Sequence, residues 1–190
     1  MRTLTVIVSR EESPAAELLL QSGAWRAQQV HVFCLGPGTH MLGEDYSVWP
    51  PGERVYCAHM HQKLAAPPPA AGSPFVAAGL ATLGRLIRDS QMTVTLSHPH
   101  WPPEPAPWGV KQIGILLGEE PDMQLEALRL ATGLAGCNHH LTVYTPHEPL
   151  QLRALLPEAG PFFQVLAAMK AEFDHSFPKR VRQHSVLLQL

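Results

Sequence analysis

Short apolar runs alternate along this chain with segments that have helical spacing. The first run is "LTVIV", residues 4–8, and a helical segment separates it from the next run, "VHVF", residues 30–33. These runs are too continuous for a half-exposed sheet, and the helices between them favour a parallel sheet that is covered on both faces. The pattern therefore predicts an α/β fold.

The same order of elements occurs twice. Residues 4–34 and residues 113–145 each contain a strand, a glutamate pair with a proline, a helix and a second strand. The aligned positions are Ile7 with Leu116, Val8 with Leu117, Val32 with Val143, and Phe33 with Tyr144. A repeat of this length indicates a duplicated domain and not a solenoid. The second copy shows no clear counterpart of the strand that ends at Cys57 in the first copy.

A proline-rich stretch separates the two copies. Residues 97–109 contain five prolines, which cannot continue a helix or a central strand. We therefore predict a first unit over residues 1–96, a linker over residues 97–109, and a second, degenerate unit over residues 110–190.

Composition and charge narrow the classes of partner. The chain is 45% apolar and 16% charged, which is typical of a globular protein, and its net charge of -2 favours neither nucleic acid nor an anionic membrane. No apolar run approaches the roughly 18 residues of a membrane helix, and the first run is too short for a signal peptide. Three cysteines without a framework spacing indicate a reducing compartment, so we expect a cytoplasmic protein. No convincing phosphate loop is present, and we expect no cofactor.

The stretch "ERVYCAHMHQKL", residues 53–64, carries the strongest chemical signal. Cys57 lies where a strand is predicted to end and a helix to begin, so unpaired backbone N–H groups and the positive helix pole favour its thiolate. A protonated His59 or His61 would lower the pKa of the thiol further. The thiolate is both the nucleophile and the group that holds a transferable sulfur. The alternative is a buried structural thiol, the usual role of a free cysteine.

A metal site is a second alternative. If the strand continued, Cys57, His59 and His61 would lie on one face, and a thiolate with two imidazoles suits zinc or copper. However, same-face neighbours along a strand are roughly 7 Å apart, so three of them rarely converge on one ion. The candidates for a fourth ligand are His98, His100, His139 and His140.

The other two cysteines are weaker candidates. Cys34 ends the strand "VHVFC" at the carboxyl edge of the predicted sheet, where α/β folds place ligands, so it could receive or hand on sulfur. A buried structural role is the alternative for this thiol. Cys137 lies in the turn "LAGCNHHL" and is predicted to have no role in the site.

The first copy resembles the DsrE/DsrF/TusD family of small α/β sulfur-handling proteins. The resemblance rests on the strands "LTVIVS", "VHVFCLG" and "RVYCAHMHQKL" and on the closing helix and strand "GLATLGRLIRDSQMTVTL". It covers residues 3–96, and the second copy more loosely. In that family a cysteine at the end of the third strand carries sulfur as a persulfide, and Cys57 falls on that position. The chain departs from the family after this cysteine, because His59, Met60 and His61 replace small residues and a glycine.

The resemblance implies two fused DsrE-like units that act in sulfur transfer. Cys57 would be the catalytic thiol. From their positions in the sequence, we expect Cys34, His59 and His61 to be binding residues of the same site. The partners would be sulfur donor and acceptor proteins, and the chain would form a homo-oligomer. The alternatives are a catalytically inactive scaffolding subunit and a metal-binding protein. This transfer of sulfur from a donor protein through Cys57 to an acceptor protein, here called the relay, requires an open path from solvent to the sulfur of Cys57.

Overall fold

A computed structural model describes residues 3–9, 14–96, 109–118, 120–174, 184 and 186–189. The chain divides into two compact units, residues 1–109 and residues 110–190. The division falls at the end of the predicted linker, of which residues 97–108 lie outside the described part of the chain.

The first unit contains a five-stranded sheet in which every pair of neighbours is parallel. Its strands are β1 (Thr3–Val8), β2 (Gln29–Cys34), β3 (Arg54–Cys57), β4 (Val76–Ala78) and β5 (Met92–Thr95). Their order across the sheet is β4-β3-β2-β1-β5.

In the described part of the unit, three α-helices accompany this sheet: α1 (Ala15–Gln21), α2 (Ala58–Lys63) and α3 (Leu80–Asp89). Two 3₁₀ helices, Ala24–Arg26 and Gly36–Gly43, complete the described elements of the first unit. The predicted helix and strand at the end of the first copy are confirmed as α3 and β5.

The helices α1 and α3 lie on opposite faces of the first sheet. Val6 and Val8 of β1 share a core cluster with Leu18 of α1. Thr5 points to the other face, because side chains alternate along a strand. Its Oγ1 donates to the carbonyl oxygen of Leu86 in α3 over 3.1 Å. The prediction of a parallel sheet with helices on both faces is therefore confirmed for the first unit.

The second unit contains a four-stranded sheet that is also parallel throughout. Its strands are β6 (Gln112–Leu116), β7 (His140–Tyr144), β8 (Glu172–Asp174) and β9 (Val186–Gln189), in the order β8-β7-β6-β9. Its helices are α4 (Pro121–Gly136), α5 (Pro149–Leu155) and α6 (Gly160–Ala168), with a 3₁₀ helix over Pro157–Ala159.

The expectation that the second copy lacks a counterpart of β3 is wrong. The strand β8 pairs with β7 just as β3 pairs with β2. Only three residues form β8, which is too short to show a periodic pattern in the sequence. None of the three cysteines of the chain lies on this strand.

The two sheets share one register at the positions aligned in the sequence. Val6 pairs with Val32 in the first sheet, and Ile115 pairs with Val143 in the second. The order β8-β7-β6-β9 also matches the order β3-β2-β1-β5. The alignment thus places matched residues side by side in both sheets.

Within the described residues, no helix combines the length and the apolar character needed to cross a membrane.

Candidate thiol site

Cys57 is the last residue of β3 and the N-cap of α2. Its backbone is extended, with φ -71° and ψ 104°, and the helix begins at the next residue, Ala58. The predicted change from strand to helix at this cysteine is therefore confirmed. Backbone N–H groups of a first helical turn lack partners within the helix, so this position favours a negative charge.

A second helix begins beside the same residue. Cys57 pairs with Ala78 of β4, and α3 starts two residues later at Leu80. The N-cap of α3 is Gly79, which has no side chain to cap the helix. The sequence pattern did not reveal this neighbour, because β4 has only three residues and follows a proline-rich loop. The only sequence signal was Gly79 itself, directly before the periodic apolar positions of α3.

An ion pair connects α3 to the beginning of β3. The Nη2 of Arg85 in α3 lies 2.6 Å from the Oε2 of Glu53, the residue before β3. The hydrogen bond from Arg85 holds the pKa of the Glu53 carboxyl below its ordinary value. Both side chains are more than a third exposed, so this pair orients the two elements and adds little stability.

The side chain of Cys57 is buried, with only 1% of its surface exposed. The expected open path from solvent to its sulfur is therefore wrong for this conformation. Met60, one turn into α2, is also completely buried.

His59 and His61 lie on α2 and not on a continued strand. Residues two apart in a helix point about 200° apart around its axis, so the two imidazoles diverge on either side of Met60. His59 is exposed. His61 is half-buried, its Nε2–H donates to the carbonyl oxygen of Pro67 over 3.0 Å, and its ring centroid lies 4.9 Å from that of Tyr56.

The geometry assumed for a metal site is wrong, because the strand stops at Cys57. Among the residues that the structure describes, no group of three or more His, Cys, Asp or Glu side chains could hold a metal ion. His98 and His100, two candidates for a fourth ligand, lie outside the described residues. His139 and His140 belong to the second unit.

Cys34 is the last residue of β2 and lies in the apolar core of the first unit. Burial raises the pKa of its thiol well above the ordinary value, so the neutral thiol persists at physiological pH. This environment matches the structural alternative considered for Cys34.

Cys34 and Cys57 point to opposite faces of the sheet. Cys34 pairs with Tyr56, the residue before Cys57, and successive side chains along a strand alternate in direction. Cys34 and Tyr56 therefore face α1, whereas Cys57 faces the side of α3. A direct transfer of sulfur between the two thiols would have to cross the sheet.

Cys137 is the C-cap of α4 in the second unit and is half-buried. Its place at the end of a helix agrees with the predicted turn.

Comparison with known proteins does not identify a function for this site. No protein-family model matches the chain, and no curated protein matches it.

Proposed function

We propose that this chain is a sulfur-transfer protein in which Cys57 carries the sulfur. The observation that supports the proposal is the position of Cys57, which ends β3, caps α2 and pairs with the residue before the N-cap of α3. A cysteine at a strand end that leads into a helix is the arrangement in which the resembled family carries a persulfide, and the start of α3 beyond its strand partner adds further backbone N–H groups on this edge of the sheet.

The proposed reaction exchanges one bond for another. The thiolate of Cys57 attacks the terminal sulfur of a donor protein's persulfide, a new S–S bond forms, and the old S–S bond breaks. The donor leaves as a thiolate and takes the proton that Cys57 gave up. An acceptor thiolate then removes the terminal sulfur from Cys57 in the same way, so the transfer needs no external oxidant or reductant.

The burial of Cys57 sets a condition on this proposal. A donor persulfide must come within bonding distance of the sulfur, and a side chain that is 1% exposed does not allow it. The relay therefore requires that the residues over Cys57 move aside when a donor or acceptor docks.

The same burial favours a second candidate function. In this alternative the chain is a scaffolding subunit of a sulfur-relay or redox complex, and Cys57 is a small buried side chain without chemistry. The chain would then keep the fold and its binding surfaces but accept no sulfur.

We further propose that the two units are a duplicated DsrE-like domain and that the chain forms a homo-oligomer in the cytoplasm. The shared strand register supports the duplication. The lack of a cysteine on β8 limits the proposed chemistry to the first unit.

The test is the intact mass of the protein after incubation with a persulfide donor. We expect the wild type and the Cys34→Ser and Cys137→Ser variants to gain one sulfur atom, and the Cys57→Ser variant to gain none. A wild type that gains no sulfur, although a low-molecular-weight persulfide was present in excess, would favour the scaffold. Loss of loading only in the Cys34 variant would move the active position to β2.

A further inference from the structure

At one position that matches between the two sheets, the first and the second unit carry different side chains. In the first sheet Thr5 pairs with Thr93, and Ser90 lies three residues before Thr93. The hydroxyls of Thr5 and Ser90 share a hydrogen bond of 2.7 Å, and both residues are buried. This position in the first unit contains no group that titrates near neutral pH.

In the second sheet the same position holds a glycine and a histidine. Gly114 pairs with Leu187, and His184 lies three residues before Leu187. Gly114 and His184 therefore take the places of Thr5 and Ser90. A histidine thus replaces a serine two residues before β9, which is one of the two edge strands of this sheet.

Tyr144 completes the arrangement in the second unit. Its hydroxyl lies 2.6 Å from the Nε2 of His184, and the two rings meet edge to face with centroids 5.4 Å apart. A Cβ atom at position 114 would lie 2.8 Å from the Cδ1 of Leu187, 3.1 Å from the His184 ring and 3.2 Å from the Tyr144 ring. The glycine therefore provides space for the ring pair and for the side chain of Leu187.

The other nitrogen of His184 has no hydrogen-bond partner among the residues that the structure describes. This atom, Nδ1, is buried. Burial lowers the pKa of His184, while the carboxylates of Glu172 and Asp174 on β8 act in the opposite direction. The lowered pKa favours the neutral ring, because protonation would place a positive charge inside the unit.

We propose that the Tyr144–His184 pair is an acid-sensitive latch that holds β9 on the second sheet. Among the described strands, β9 pairs only with β6, so few backbone hydrogen bonds oppose its release. Protonated His184 is stabilised when it reaches water, and its movement takes the adjoining strand away from β6. The second unit therefore opens at mildly acidic pH. The first unit does not open in this way, because the Thr5–Ser90 pair at the equivalent position does not titrate.

The direction of the pH effect follows from the lowered pKa. The released histidine binds a proton near its ordinary value of 6.5, and the latched histidine binds one only at lower pH. Between these two values the open state holds more protons, so acidification favours opening.

Hydrogen exchange of the full-length protein tests the latch, followed by mass spectrometry on the peptide that contains β9. After correction for intrinsic exchange, we expect protection in wild type to fall up to roughly tenfold per pH unit between about pH 6.5 and the pKa of the latched ring. The matched control is the double variant Gly114→Thr, His184→Ser, which rebuilds the pair of the first sheet. This variant should lose the pH dependence of β9.

A second measurement keeps the test decisive if the double variant does not fold. The ¹³C or ¹⁵N resonances of His184 in the wild type report its titration directly, and its pKa should lie below 6.5. Protection of β9 that does not change with pH, or a His184 pKa at or above 6.5, would overturn the latch. Equal pH dependence in the wild type and the folded double variant would also overturn it.

Discussion

Cys34 and Cys57 end neighbouring strands, yet they face different surroundings. Cys34 lies in the core cluster of the first unit next to Tyr46, where burial raises the pKa of its thiol. Cys57 lies on the opposite face of the sheet. It directly precedes α2, and it pairs with a residue of the strand that leads into α3. A cysteine position in the sequence could not distinguish these environments, because the difference depends on which neighbours cover each face.

Alkylation of the native protein should therefore distinguish the three thiols. We expect iodoacetamide to modify the half-buried Cys137 first, with Cys34 and Cys57 at least roughly tenfold slower, since both need an opening of the structure. Peptide mapping over time measures the three rates. A Cys57 rate equal to that of Cys137 would show that solvent reaches the site, and it would favour the relay over the scaffold.

Gly38 is a position where the backbone leaves no room for a side chain. A Cβ atom there would overlap the carbonyl oxygen of Val8 at the end of β1. We expect Gly38→Ala to destabilise the protein by about 1–3 kcal/mol in urea unfolding, since the Gly36–Gly43 helix must shift. The control is Gly43→Ala in the same helix, where nothing lies within 4 Å of the new atom. Equal stability of the two variants would contradict this packing.

At the scale of elements, α1 is held to the sheet by one face. Leu18 is 1% exposed and lies in the core cluster, whereas Leu20 on the same helix is 68% exposed. We expect Leu18→Ala to lower the free energy of unfolding by about 2–5 kcal/mol and Leu20→Ala to change it by less than about 0.5 kcal/mol. Chemical denaturation of both variants measures the difference. A similar loss for both would show that α1 packs differently.

The shortest strands escaped prediction for a physical reason. β4 and β8 have three residues each, and β4 follows a loop rich in proline and alanine. Such strands form because a longer neighbour offers unpaired backbone groups, and their own side chains carry no pattern. The pairing of β4 with β3 and of β8 with β7 therefore depends on the neighbouring strands, and no pattern in the residues of β4 or β8 predicts it.

At the scale of the whole molecule, each unit contains a histidine whose pKa is lowered by burial. His31 on β2 accepts the backbone N–H of Glu53 at its Nδ1 over 3.1 Å, and burial lowers its pKa, as it does for His184. In the unfolded chain both imidazoles bind a proton near their ordinary pKa of 6.5, whereas in the folded chain they bind one only at lower pH. The contribution of the two neutral histidines to folding stability is therefore fully present above pH 6.5, and it is lost as the pH falls below that value.

We therefore expect the melting temperature of the full chain to fall between about pH 7.5 and pH 5.5. Differential scanning calorimetry across this range measures it, and the range from about pH 7.5 to pH 8.5 is the control, where neither histidine titrates. A melting temperature that rises on acidification would mean that His31 and His184 are protonated in the folded state.

The sequence by itself determined the α/β class, the repeated order of elements and the strand end at Cys57. Short apolar runs and helical spacing are local properties, and they carry this information without knowledge of neighbours. The same residues that aligned in the sequence, Val32 with Val143, occupy matching places in the two sheets.

Only the tertiary structure decided the surroundings of the thiols and histidines. It buried Cys57, directed Cys34 to the other face, turned His59 and His61 apart on a helix, and paired His184 with Tyr144 over Gly114. Burial and pairing depend on residues that are distant along the chain, so no local pattern contains them. Since these contacts set both access to a sulfur and the charge of an imidazole, they decide which chemistry each side chain can perform.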